Sequence, residues 1–264
     1  MITAKEIYNF VENLYPLASK SEGDNCGFLA GCLDVQVTKV LLALDITTTT
    51  IDQAISLGAQ LIISHHPLIF NSILSVTQDT PDGGRIIKLL ANGISAICMH
   101  TNLDSSPGGI NQTLAQVLGL ENITFCTLED ARNGFGIGRV GNLARPQTLS
   151  AFLNATANAL GCNGLRYHDS GKDVCKVMVG GGACGYLLKG AAALGCDTMV
   201  TADLRHDLWL AAREYGINLI DAGHYHTENV FANPLKATLE KQFSGVEFFV
   251  AETAHPCKFA IFND

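Results

Sequence analysis

VLLALDITTTTIDQAISLGAQLIISHHP, residues 40–67, holds two apolar runs separated by a helical segment. Val40–Leu44 is a continuous apolar run that reads as a buried strand ending at Asp45. Ile51–Leu57 reads as a helix closed by Gly58, and Leu61–Ile63 as the next strand, which runs into Ser64-His65-His66-Pro67. The alternation continues outward. A helix is predicted around 84–91, a strand at Ile94–Met99 and a helix near 110–118, stopped by Gly119. In the second half a helix near 148–160 leads to a strand at Val174–Val179 and the cluster Gly180-Gly181-Gly182. A helix at 186–194, a strand at Thr198–Val200, a helix near 204–214 and a strand at Ile217–Ile220 follow. This order predicts an α/β fold with largely parallel or mixed sheets, in which sites form at the carboxyl ends of strands.

A faint internal repeat accompanies the alternation. Leu57-Gly58-Ala59 precedes a strand ending in His65-His66, and Leu194-Gly195-Cys196 precedes one ending in Thr201-Ala202-Asp203. Gly93-Ile94 opens a strand ending at His100, and Gly216-Ile217 opens one ending near His224. Two readings stand: two related α/β lobes whose strand ends face a common cleft, or the chance likeness of generic helix–Gly–strand junctions. On the first, residues 1–125 with 222–264 form one lobe and 126–221 the other. Gly134-Phe135-Gly136-Ile137-Gly138 lacks GxGxxG spacing and a preceding strand, so turn and bulge glycines are expected there.

With 47% hydrophobic and 16% charged residues, the chain has ample material for a core. A formal charge of −8 argues against a nucleic-acid surface, which needs clustered Lys and Arg. Nine cysteines, an odd number without a CxxC, read as buried thiols of a reducing cytosol rather than disulfides. Residues 1–19 lack an apolar signal core. Thr3 and Glu6 instead make a capping box for a helix burying Ile7, Phe10, Val11 and Leu14. No apolar run approaches the ~20 residues that span a bilayer. A cytoplasmic protein is expected.

Three polar clusters ride on the strand ends: Ser64-His65-His66-Pro67, His100-Thr101-Asn102-Leu103-Asp104 and Gly223-His224-Tyr225-His226-Thr227-Glu228. Imidazoles mixed with carboxylates suit a borderline metal such as zinc, iron or manganese. Neighbours on a strand point to opposite faces, so His65 and His66 fit two metals better than one; the plainer alternative is a buried imidazole pair bonded to backbone. His224 and Glu228 share a face on either helix or strand, and His226 joins them only if the segment is extended. The alternative there is a solvated helix start. Asp104 supplies a hard oxygen, although Asn-x-Asp-Ser-Ser-Pro is also ordinary loop chemistry. His100 is a candidate for orienting a ligand or for acid–base work.

These segments resemble the NIF-three-like family, dinuclear-metal proteins many of which carry the name GTP cyclohydrolase 1 type 2. The resemblance spans nearly the whole chain: Asp24-Asn25-Cys26-Gly27, Leu44-Asp45, Ile63 to Phe70, His100 to Asp104, Gly180-Gly181-Gly182-Ala183 and Asp221 to Glu228. It implies metal ligands at His65, His66, Asp104, His224 and Glu228, with Glu228 able to bridge. It also implies two α/β lobes, two divalent transition metal ions per chain, and a toroidal homohexamer with its sites facing an internal cavity. The extra mid-chain domain of some members has no room here, because only about 75 residues separate Asp104 from Gly180. Two positions depart from the family pattern: Ala202, where a glycine is usual, and Ala183-Cys184, where a serine is common. Neither touches a ligand; both bear on substrate recognition.

The implied reaction is hydrolytic opening of the guanine imidazole ring of GTP at C8, giving formate and a dihydroneopterin triphosphate. His100 is then the candidate proton shuttle, and Asp203, His206 and His226 are candidates for lining the substrate pocket. The residues themselves support hydrolysis; only the resemblance supports GTP, and no arginine-rich triphosphate cradle is present. Two rivals are a metallohydrolase of another substrate, such as a phosphoester, and a non-enzymatic metal-stabilised ring that binds partner proteins.

Overall fold

A computed structural model describes residues 1–253 with His255, Cys257, Lys258 and Ala260. The chain opens with α1 (Ala4–Leu14), β1 (Gly27–Ala30), β2 (Lys39–Ala43), α2 (Thr48–Leu57), β3 (Leu61–Ser64), α3 (Pro81–Ala91) and β4 (Ser95–Cys98). Its middle holds α4 (Thr101–Ser105), α5 (Ile110–Val117), β5 (Glu121–Phe125), α6 (Leu128–Asn133) and β6 (Arg139–Gln147). Next come α7 (Leu149–Leu160), β7 (Arg166–His168), β8 (Val174–Val179), α8 (Leu188–Ala193) and β9 (Thr198–Thr201). Beyond these lie α9 (His206–Tyr215), β10 (Asn218–Asp221), α10 (His224–Glu228), α11 (Ala232–Gln242) and β11 (Glu247–Val250).

Local signals set the element ends. The Thr3 hydroxyl accepts from the Glu6 backbone while the Glu6 carboxylate accepts from the Thr3 backbone, the expected capping box at the start of α1. Ile7 and Val11 are buried, whereas Phe10 and Leu14 are half-buried, with Phe10 edge-on to Phe243 at 5.4 Å. Thr47 caps α2 through the Thr50 backbone, and Gly58 ends it in the left-handed region at φ 67°. The helix predicted at 186–194 begins instead as a 3-10 turn, Gly185–Leu187, before α8.

Two compact units result. The first holds Met1–Leu103 and the segment that begins at Phe231. Its sheet has the order β1-β4-β3-β2-β11, with β11, β2, β3 and β4 parallel and β1 antiparallel at the edge. Leu41, Ile62 and Ala96 of the sheet pack with Ile51 and Ala54 of α2 and Leu89 of α3. Each such fully buried Leu or Ile contributes about 1.5–3 kcal/mol.

The second unit holds Asp104–Val230 and the tail that begins at His255. Its sheet order is β5-β6-β8-β9-β10-β7; β8, β9 and β10 are parallel, and the other pairings are antiparallel. Val177 and Val179 pack with Leu114 and Phe152 on one face, and Met178 packs with Leu188 and Ala212 on the other. Burial on both faces explains why β8 reads as an unbroken apolar run.

The division thus falls after 103 and after 230, where the sequence reading put it after 125 and after 221. Pairing of β5 with β6 draws the residues after 103 to the second sheet, and β11, paired with β2, returns the chain to the first. Residues 261–264 of the expected first lobe lie outside the described residues.

The internal repeat appears as topology. The series α1-β1-β2-α2-β3-α3-β4-α4 recurs as α7-β7-β8-α8-β9-α9-β10-α10. Within the sheets the orders β1-β4-β3-β2 and β7-β10-β9-β8 match, each with its first strand antiparallel to its last. Of the glycines at 134–138, Gly134 closes α6 at φ 76° and Gly138 enters β6 at φ 86°; the loop runs from a helix into a strand, the reverse of a phosphate loop.

Candidate metal-binding residues

In the first unit the register aligns the strand ends, with Ala43 beside Ser64 and Ser64 beside Cys98. Asp45, His65, His66 and His100 therefore emerge along one edge of the sheet. His65 is fully buried and donates from Nδ1 to the Met99 carbonyl at 2.9 Å. His66 donates from Nδ1 to Asp45 Oδ1 at 2.8 Å, and His100 from Nδ1 to Asp24 Oδ1 at 2.8 Å. Because each acceptor is a carbonyl or carboxylate, each Nδ1 carries the proton. In the neutral ring the lone pair then sits on Nε2, the arrangement that metal-ligating histidines have.

The three rings crowd together, with centroids 4.9 Å apart for His65 and His66, 5.1 Å for His65 and His100, and 5.7 Å for His66 and His100. One ligand atom from each lies within 4.8 Å of the others. The strand-alternation argument for His65 and His66 does not hold, because β3 ends at Ser64 and both histidines lie in the bend beyond it. Burial alone would raise the Asp24 carboxyl. Hydrogen bonds from His100, Cys26 and Thr101 outweigh it and hold the group well below the usual carboxylate range.

In the second unit the same edge carries Gly180–Gly182 after β8, Asp203 after β9 and His224 after β10. α10 is helical, so His224 and Glu228 share a face: His224 Nε2 lies 2.9 Å from Glu228 Oε2. His224 Nδ1 donates to Asp203 Oδ2 at 2.6 Å. The bond to Glu228 raises His224 to about 9 against the opposing effect of burial, with Asp203 adding to the rise. A divalent cation held by His224 and Glu228 would take that proton's place. Glu228 and Asp104 are 4% and 6% exposed, and both, with His224, offer ligand atoms to groupings able to hold a metal ion.

The backbone of the glycine cluster is pinned from two sides. Gly181 donates to Asn111 Oδ1 at 2.7 Å, and Gly182 donates to Thr227 Oγ1 at 3.0 Å. Asn111 Nδ2 in turn bonds the Asp104 carbonyl at 3.2 Å. At Gly182, φ is 64° and a Cβ would collide with Glu228 Oε1, so only glycine fits against that carboxylate.

Asp203, expected to line a substrate pocket, holds His224. The helix turns His226 away from His224 and Glu228: its Nδ1 bonds the Leu160 carbonyl at 3.2 Å, and its ring stacks on His255 at 5.1 Å. His206 is exposed at the first turn of α9. Sequence reasoning gave no role to Asp24, Asp45, Asn111 or Thr227. The first two were visible as acids next to apolar runs; Asn111 and Thr227 left no signal, because their task is to hold backbone far away in sequence. Burial raises the thiols of Cys26, Cys162 and Cys196 to about 11 and those of Cys126 and Cys184 to about 12, so these cysteines are poor metal-binding thiolates at neutral pH.

The imidazoles of the first unit and the imidazole and two buried carboxylates of the second are each donors of a kind that suits a borderline divalent metal. Among the described residues no helix is long and apolar enough to cross a membrane. The sequence model of the Duf34/NIF3 (NGG1p interacting factor 3) family matches residues 2–256. A Clostridium perfringens protein named GTP cyclohydrolase 1 type 2 homolog is 34% identical over 251 residues, covering 94% of this chain and 96% of its own. The structure of reduced HcgD from Methanocaldococcus jannaschii superposes with a TM-score of 0.80 at 29% identity, over 94% of this chain and 97% of that one. A Bacillus cereus protein related to NIF3 shares the fold, with a TM-score of 0.91 at 24% identity over 98% and 99% of the two chains. The chain belongs to the Duf34/NIF3 family.

Proposed function

We propose that this protein is a dinuclear metal-dependent hydrolase, with His65, His66, Asp104, His224 and Glu228 as ligands of two divalent transition metals and Glu228 bridging them. The observation that carries the reading is the shared preparation of the histidines. His65, His66 and His224 each donate from Nδ1 to a fixed carbonyl or carboxylate, the way metal-ligating histidines are oriented, and a metal at His224 would displace the proton that Nε2 shares with Glu228. Bound metals would supply a nucleophile from water at neutral pH. The remaining tasks fall to the chain. Asp24 fixes the His100 ring, so His100 is positioned to take and return a proton at Nε2. Asp203 orients His224, and Gly182 gives Glu228 its room. The assembly we propose is a toroidal homohexamer.

For the substrate we propose GTP, converted with water to formate and dihydroneopterin triphosphate, by analogy with relatives that carry the GTP cyclohydrolase 1 type 2 homolog name. The test is formate and pterin release from GTP by protein reloaded with zinc, iron(II) or manganese. Formate should appear in step with GTP loss and vanish in His65→Ala. Turnover of a simple phosphoester with GTP untouched would replace GTP by the phosphoester reading. No turnover of either, with metal retained, would favour the metal-stabilised ring that binds partner proteins.

His100→Asn separates two roles. A proton shuttle predicts unchanged metal content with turnover lowered by about 10²–10⁴. Loss of metal would make His100 a third imidazole ligand, which its grouping with His65 and His66 also allows.

A further inference from the structure

Phe70 lies four residues beyond His66, in the loop between β3 and α3. Its side chain is 65% exposed, although large aromatic rings usually find cover. The exposure does not come from a loose loop. Leu68 is buried, Ile69 packs against the sheet core, and the Ile69 carbonyl accepts from Asn25 Nδ2 at 2.6 Å. The backbone carrying the ring is thus fixed immediately before it. The ring itself stands edge-on to His100, with centroids 6.0 Å apart and planes at 76°. Asp24 holds His100 in turn, and Asp24 is the neighbour of Asn25. One short segment, Asp24-Asn25, therefore fixes both the imidazole and the base of the aromatic ring.

An aromatic ring held in water at the rim of a polar cluster is a stacking surface. We propose that Phe70 is a specificity-determining residue that stacks on a planar heteroaromatic ring of the substrate, while the imidazole cluster takes its reacting end. The inference rests on the hydrolase reading for the reacting end but not on GTP, since every purine has a π-face. It restricts the substrate class to planar heterocycles and disfavours simple alkyl phosphoesters.

The test is calorimetric titration of the full-length protein, as purified and after incubation with zinc, with GTP, ATP and inorganic tripolyphosphate. Wild type, Phe70→Ala and Phe70→Tyr are compared, with metal content and mass measured on each. Stacking predicts that Phe70→Ala weakens nucleotide binding about tenfold or more, that Phe70→Tyr restores it, and that tripolyphosphate is unaffected. Binding of ATP but not GTP, with the same dependence on Phe70, would uphold the stacking role and remove GTP as the substrate. Nucleotide binding equal in wild type and Phe70→Ala, tripolyphosphate bound as tightly as GTP, or no nucleotide bound at all would each overturn the inference. A change of assembled mass in Phe70→Ala with nucleotide binding intact would likewise overturn it and assign the ring to a subunit contact.

Discussion

Asp203 and Gly182 act on the same pair, His224 and Glu228, by different physics. Asp203 accepts the Nδ1 proton of His224, and its own backbone lies in the left-handed region at φ 53°, which Asp tolerates better than most residues. Asp203→Ala should leave the fold intact and weaken metal binding about 10–100-fold, measured by competition with a chelator. Unchanged affinity would return Asp203 to its sequence-derived role in a substrate pocket. Gly182→Ala adds one carbon where Glu228 Oε1 already sits, at a positive φ. It should cost about 1–3 kcal/mol of stability and lower metal content, read by thermal melting and elemental analysis. At this scale the sequence was most legible where chemistry and strand end coincided, as at His65, His66, His100 and His224. It was least legible where geometry decided. Whether His226 joins His224 and Glu228 depended on helix against strand, and the helix turned it toward Leu160 and His255.

Arg139 shows how an element, rather than a residue, is held. Its guanidinium is buried beneath Phe125, 4.1 Å from the ring centroid, and bonds the carbonyls of Ser105, Ser106, Gly136 and Gly138. Burial lowers it to about 10. Two of those carbonyls end α4, the helix that carries Asp104, so Arg139 ties that helix to the start of β6. Arg139→Met removes the donors and leaves buried carbonyls behind; unfolding stability should fall by about 3 kcal/mol or more in urea. A loss under about 1 kcal/mol would mean that water replaces the guanidinium. The sequence could not foretell this: β6 contains Gly141 and Pro146 and pairs antiparallel with irregular register, so no period announces it. By contrast, β2, β3, β8, β9 and β10 were legible because their inner residues are buried on both faces.

Across the whole molecule the chain repeats one plan, α-β-β-α-β-α-β-α, and each copy ends in a short helix that begins next to a histidine and carries an acid four residues after it. His100 immediately precedes α4 and Asp104 lies within it, while His224 and Glu228 begin and end α10. The equivalence makes the paired carboxylates, Asp104 and Glu228, a consequence of the repeated plan. It also explains why the faint likeness of the helix–Gly–strand junctions was meaningful: α2 corresponds to α8 and α3 to α9, and the glycines that follow them, Gly58, Gly195, Gly93 and Gly216, all have left-handed φ of 62–68°. The domain division was less legible, because β5 and β11 join their sheets by long-range pairing that local pattern does not encode. If one dinuclear centre depends on Glu228, metal content per chain in freshly purified protein, wild type against Glu228→Ala, should show it. About two divalent metals per wild-type chain are expected, with a sharp fall in the variant. Wild-type protein without metal, even after reloading with iron, zinc or manganese, would contradict it.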